Sequence, residues 1–140
     1  MTKREQILAA VRTALTGTTG VGNRIYRSRV EPMARQESPA IVIEPIKDDC
    51  NVQFSLPILD WSLVVRVAVV VRANVPDQAA DATIESMHSK LMADLTLGGL
   101  AIDILPAGVE FQAVEADVPA GVVMCDYIVR YRTSVSNLAS

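Results

Sequence analysis

The sequence predicts an α+β fold, a mostly antiparallel mixed sheet with two main helices packed on one face. Three observations predict it. Residues 60–72 place Trp61, Leu63, Val65, Val67, Val69 and Val71 at every odd position, the period-two alternation of a β-strand. Residues 2–15 and 76–95 repeat apolar side chains at spacings of three and four, the period of a helix face. The later strand-like segments are joined by hairpin-like links, which favours antiparallel pairing.

The long strand is the organising element. Its odd face is wholly apolar and requires cover. Its even face mixes Ser62, Val64, Arg66, Ala68, Val70 and Arg72. At ~3.3 Å per residue the run reaches roughly 40 Å. A compact chain of 140 residues has a radius of gyration of about 14 Å. The strand is therefore expected to bend or to project past its own domain, with the half-apolar face against another copy.

The elements follow in order. Thr2 and Glu5 have the spacing of a capping box, and Ile7, Leu8, Val11 and Leu15 form the stripe of a first helix that Gly17 and Gly20 end. Residues 24–29 read as a short strand in which Arg24, Arg27 and Arg29 alternate with Ile25 and Tyr26, followed by a polar loop at 30–38. Ala40-Ile41-Val42-Ile43 is a short buried strand, residues 47–51 a turn, and residues 52–56 another short strand. After the long strand, Pro76 and Asp77 open a second helix in the manner favoured at a first turn. Ala80, Ile84, Met87, Leu91 and Leu95 form its stripe, and Gly98-Gly99 stops it. Residues 101–105 form a strand or a helical turn, and residues 109–115 a strand. Pro119-Ala120-Gly121 turns the chain into a last strand at 122–133, and the final residues 134–140 fray.

Composition bounds the function. Half of the residues are hydrophobic, mostly Val, Ala, Leu and Ile, which excludes disorder. One domain spanning 1–140 is expected, burying roughly two-thirds of its unfolded surface. No apolar run approaches the ~18 residues of a membrane span. The chain begins Met-Thr-Lys-Arg and passes directly into a helix pattern, so a cytosolic protein with no membrane partner is expected. Cys50 and Cys125 match no metal spacing and read as free thiols, the second in the core and the first in a loop.

The formal net charge of −3 argues against a general nucleic-acid binder. Its distribution is uneven. Residues 1–36 hold seven Lys/Arg and two Glu, net +5; residues 37–140 hold six Lys/Arg and fourteen Asp/Glu, net −8. Solvated faces alone produce such asymmetry. It equally suits a subunit whose basic side meets the acidic side of the next copy. Arg24, Arg27 and Arg29 carry two readings as well. They guard an edge strand against unwanted pairing, or they line a surface for an acidic partner or DNA phosphates.

Catalytic signals are sparse. His88 is the only histidine and lies one residue past the second helix's apolar stripe, where a boundary residue is the plain reading. Asp48-Asp49 fits a turn, and Asp77 with Asp81 fits a helix N-terminus. Gly17-Thr-Thr-Gly20-Val-Gly22 follows a helix, without the strand–loop–helix context of a phosphate loop. No enzyme activity, metal or cofactor is expected.

Asp60-Trp61 with its alternating run, Val75-Pro76-Asp77, Ala82, Glu85-Ser86 and Met92-Ala93-Asp94 resemble the tail terminator proteins of long-tailed phages, the minor tail protein U family. The Ile7-Leu8-Ala9-Ala10-Val11 helix, the Pro39-Ala40-Ile41-Val42 strand and the final Asp126-Tyr127-Ile128-Val129-Arg130-Tyr131 strand fit the same pattern. The arginine content of residues 24–36 exceeds that pattern. The resemblance implies a structural virion protein that forms a hexameric ring, caps the tail tube, stops tube polymerisation and offers a docking surface to the head connector. It implies no enzyme and no cofactor, with DNA only passing through the ring lumen. The candidate subunit or tube interface comprises Arg24, Arg27, Arg29, Ser62, Val64, Arg66, Ala68, Val70 and Arg72. Two alternatives stand beside it, another head–tail connector ring and a small ligand-binding or enzymatic domain centred on His88.

Overall fold

A computed structural model describes residues 1–28, 38–51, 57–114 and 119–140. The elements are α1 (Lys3–Ala14), β1 (Ile25–Arg27), β2 (Ala40–Asn51), β3 (Ile58–Arg72), α2 (Pro76–Leu91), β4 (Asp103–Val114) and β5 (Ala120–Ser134). The strands form a five-stranded sheet in the order β1-β2-β3-β5-β4. All neighbours pair antiparallel except β1 with β2. This is the α+β arrangement the sequence predicts.

The long strand sits at the centre, its wholly apolar odd face against the helices and its half-apolar even face on the other side of the sheet. Leu63, Val65, Val67, Val69 and Val71 are each at most 3% exposed. Ile7, Leu8 and Val11 of α1 and Ala80, Met87 and Leu91 of α2 close over them in one cluster. Each buried Val, Leu, Ile or Met side chain among them contributes about 1.5–3 kcal/mol by leaving water. β3 pairs with β5 along its whole length, Ile58↔Ser134 to Arg72↔Ala120. Its first residues do run past the closed core, since Ile58 is 36% exposed while inward burial is complete from Leu63 onward. Trp61, half-buried, closes that end by stacking on Tyr131 with centroids 6.2 Å apart. Its Nε1 donates to Thr133 Oγ1 at 3.0 Å.

Several local expectations are corrected. Residues 47–51 are not a turn but the second half of β2, and Cys50 lies half-buried in that strand rather than in a loop. A register shift between Pro45 and Lys47 reverses the side-chain alternation there, as a β-bulge does. Asp48 then points inward opposite Leu63, and Lys47 and Asp49 face outward. The elements expected at 101–105 and 109–115 are likewise not separate: among the described residues one strand, β4 (Asp103–Val114), runs through both across a shift between Pro106 and Gly108. Ala120 and Gly121 belong to β5, not to a turn.

α2 ends at Leu91, well before Gly98-Gly99. The Asp94 carboxylate accepts from the Thr96 and Gly98 amides at 3.0 and 2.8 Å. Such side-chain bonding competes with helix continuation. These donors, the Thr96 hydroxyl first, hold the Asp94 pKa below the usual carboxylate range. Leu95 is consequently 45% exposed, and Leu97, 7% exposed, enters the core instead. The tail is also tied rather than frayed. Its Leu138 carbonyl accepts from the Lys3 amide at 2.8 Å, and Val135 N–H donates to the Pro57 carbonyl at 3.1 Å. The expected strand at 52–56, Arg29 at the end of the strand expected at 24–29, and residues 30–37 of the expected loop lie outside the described residues.

Candidate assembly interfaces

Three surfaces are candidates: the sheet face opposite the helices, the β1 edge, and the β4 edge with its flanking helix. The first holds Ser62, Val64, Arg66, Ala68, Val70 and Arg72. Pairing register places carboxylates directly opposite three arginines of this face, Arg66↔Asp126, Arg132↔Asp60 and Arg130↔Asp103, while Arg72 lies opposite Ala120. Arg66 donates through Nε and a terminal nitrogen to Asp126 at 2.9 and 3.1 Å. Glu110 lies 4.0 Å from the same guanidinium. Arg132 Nε donates to Asp60 at 2.7 Å and Arg130 Nε to Asp103 at 2.8 Å. The Arg130 bond holds the Asp103 pKa down.

These pairs are made within the chain, so this face presents neutralised charge beside an apolar band. Ala68 and Val42 are buried in it, and Val64, Val70, Val122, Met124 and Ile128 are half-buried. The backbone N–H of Arg72 donates to Ser38 Oγ at 2.8 Å. The face is thus neither strongly basic nor fully wetted.

The second surface is where α1 meets β1. The capping box forms only in part. Thr2 Oγ1 accepts from the Glu5 amide at 3.2 Å, but the Glu5 carboxylate turns to Arg27 and accepts from its two terminal guanidinium nitrogens at 2.9 and 2.8 Å. Arg27 therefore clips β1 to α1 and holds the Glu5 pKa below its ordinary value. Arg24 donates to the Pro39 and Gly20 carbonyls at 2.9 and 2.6 Å. The expected arginine row is thus divided, with Arg24 and Arg27 anchored internally. Arg12, exposed on α1, borders a shallow groove with Thr13, Thr16, Asn23 and Ile25.

The third surface was not foreseen. A sheet five strands wide spreads over about 20–24 Å, and two helices of about 10 Å each do not cover it all. α1 packs on β2, and α2 on β3 and β5. Ile104 of β4, opposite Val129, is still buried in the core, but past Pro106 the inward side of β4 is left open. Val109 and Phe111, which face the helix layer opposite Cys125 and Val123, are 51% and 69% exposed. They form one wall of a groove whose other wall is Pro76, Asp77, Asp81 and Ile84 of α2. His88 and Tyr127 close its end beside Pro106. His88 Nδ1 and the Tyr127 hydroxyl are hydrogen-bonded at 2.7 Å, and burial raises the Tyr127 pKa. The signal was in the sequence: two helices for at least five strands, and an apolar alternation at 109–113 with no stripe to match it.

Among the described residues no group of three or more His, Cys, Asp or Glu is placed to hold a metal. No described helix is long and apolar enough to cross a membrane.

No family model matches the sequence, and no curated protein does. The fold does have solved counterparts. A chain in the virion of a native gene transfer agent (GTA) particle superposes with a TM-score of 0.72 at 16% identity, over 91% of this chain and 95% of that one. At that identity the likeness is one of fold.

Proposed function

We propose that this chain is a structural protein of a phage-like virion. In this reading it forms the ring, a hexamer by the sequence resemblance, that caps the tail tube. The ring ends tube polymerisation and gives the head connector its docking surface. The observation that carries the reading is the fold shared with a chain of a gene transfer agent virion, extending over nearly the whole of both chains. The resemblance of the sequence to tail terminators supports the finer assignment. The protein acts by contact and not by catalysis. Its partners are further copies of itself, the tube protein and the connector, and DNA only traverses the lumen. It resides in the virion tail after assembly in the host cytoplasm.

The test is tube polymerisation in vitro with the purified chain added. Electron micrographs should show tubes carrying a ring at one end, with growth halted from that end. The alternative is a neck ring, another component of the head–tail connector with the same kind of small α+β fold. Rings that bind DNA-filled heads and ignore tubes would select that alternative. An enzyme centred on His88 would lose activity with His88→Ala while assembly persisted; tube capping by that variant at wild-type level, with no activity found in the parent, removes it.

A further inference from the structure

The two edges of the sheet carry opposite charge. Residues 1–28, which contain α1 and β1, hold five Lys/Arg and one Glu, net +4; residues 76–114, which contain α2 and β4, hold six Asp/Glu and one Lys, net −5. β1 and β4 are the first and last strands of the sheet, so the basic and acidic groups lie at opposite ends of the molecule. The acidic end holds the α2/β4 groove, with Phe111 and Val109 open to solvent. On its α2 rim Asp77, Asp81 and Glu85 are exposed. They have no ion-pair partner among the described residues, and neither has Arg12 on the basic end. β4 pairs with β5 on one side only, which leaves its other edge of N–H and C=O groups unused by the described chain. Such an edge, with an uncovered apolar row beside it, is a ready template for association.

We propose that the α2/β4 groove receives the α1/β1 end of a second copy of this chain, head to tail. Phe111 and Val109 make the desolvated centre, and Asp77, Asp81 and Glu85 meet Arg12 at the rim. The occupant is chosen by charge. A copy of the same chain presents a positive end of nearly equal magnitude, and a like-to-like dimer through this groove would oppose two acidic rims. Unlike faces cannot satisfy each other in a closed pair. The contact repeats, and it closes into a ring when the rotation between copies allows. This deepens the ring reading above and replaces the outer face of β3 as the main subunit contact. On that face Arg66 is already paired with Asp126.

The test uses the pure full chain, with sedimentation velocity across a wide concentration range. Phe111→Ser alters an exposed side chain and should leave the thermal melt unchanged. It should weaken self-association at least about tenfold, the loss expected for one aromatic anchor. Asp81→Arg and Arg12→Glu should each weaken it, their combination should restore it, and added salt should weaken the parent. The opposite outcomes overturn the proposal: unchanged association in Phe111→Ser, or no recovery in the charge-swapped double variant. A parent that stays monomeric, with Phe111→Ser impairing only tube binding, assigns the groove to the tube protein and also overturns it. Capping is scored separately on tubes. A chain that associates through the groove yet ignores tubes refutes the terminator reading alone.

Discussion

Replacing Gly121 with alanine is the sharpest probe of how α2 is seated. Gly121 lies inside β5, between Val71 on β3 and Ala113 on β4. A Cβ added there would stand 2.5 Å from Pro76 Cβ and 3.2 Å from Pro76 Cγ. One group must retreat by about 0.9 Å to reach the 3.4 Å edge of ordinary contact. Pro76 cannot rotate away, since its ring is fixed on the backbone at the first turn of α2. The strand cannot yield either, being hydrogen-bonded on both sides. The first turn of the helix must therefore lift from the sheet and take its packing with it. Overpacking a rigid site costs about 2–3 kcal/mol, the upper part of the usual range. For a domain of this size that corresponds to a fall in Tm of roughly 6–12 °C. The assay is differential scanning calorimetry of Gly121→Ala beside Gly108→Ala. Gly108 is the proper control because an added Cβ there meets nothing within 4 Å. Equal melting of the two variants, within a degree, would refute the close seating of α2 on β5.

Other expectations follow from the titrating and paired groups. Burial of Asp48, 8% exposed in its side chain, raises its pKa despite opposing bonds from Tyr131 and Arg4. A folded pKa above the unfolded value of about 3.9 means stability is full below that value and falls as pH rises through the folded pKa. Asp48→Asn should therefore gain stability at pH 7 and keep no gain near pH 3.5. Urea melts at both values check this, and a loss at pH 7 would contradict it. Glu5 has the opposite sign. Arg27 lowers its pKa, so its contribution is present above the unfolded value and lost as pH falls through the folded one. Because Glu5 is 46% exposed, Glu5→Gln should cost under ~1 kcal/mol at pH 7 and flatten the acid limb of the stability curve. Arg66 and Asp126 should show a coupling of about 1 kcal/mol in a double-mutant cycle with Met and Val. Strict additivity of the two single changes would deny the cross-strand pair.

Much of the fold was legible in the chain because it rests on local periodicity. The odd row from Leu63 to Val71, the α1 stripe and the Ala80–Met87–Leu91 stripe all announce which side is buried, and each is buried. The misreadings share one cause. At residues 46 and 107 a single extra residue shifts the register, and a strict period-two reading breaks one strand into two pieces or a turn. Leu95 failed for another reason: Asp94 captures the backbone amides that follow, and periodicity carries no trace of that bond.

The candidate site was legible only in part. The even face of β3 is where the sequence placed it, but its Arg66 meets Asp126, 60 positions along the chain, and its Asp60 meets Arg132, 72 positions along. No spacing within one segment encodes such partners. Arg27 likewise finds Glu5 only because α1 lies beside β1.

The sequence by itself determined the two helix stripes, the central valine-rich strand and the separation of positive from negative charge along the chain. Tertiary structure decided where that charge ends up, because strand order, not chain order, sets β1 and β4 at opposite edges. It also decided that the second half of β4, with Val109 and Phe111, lacks a helical cover, since two helices are narrower than five paired strands.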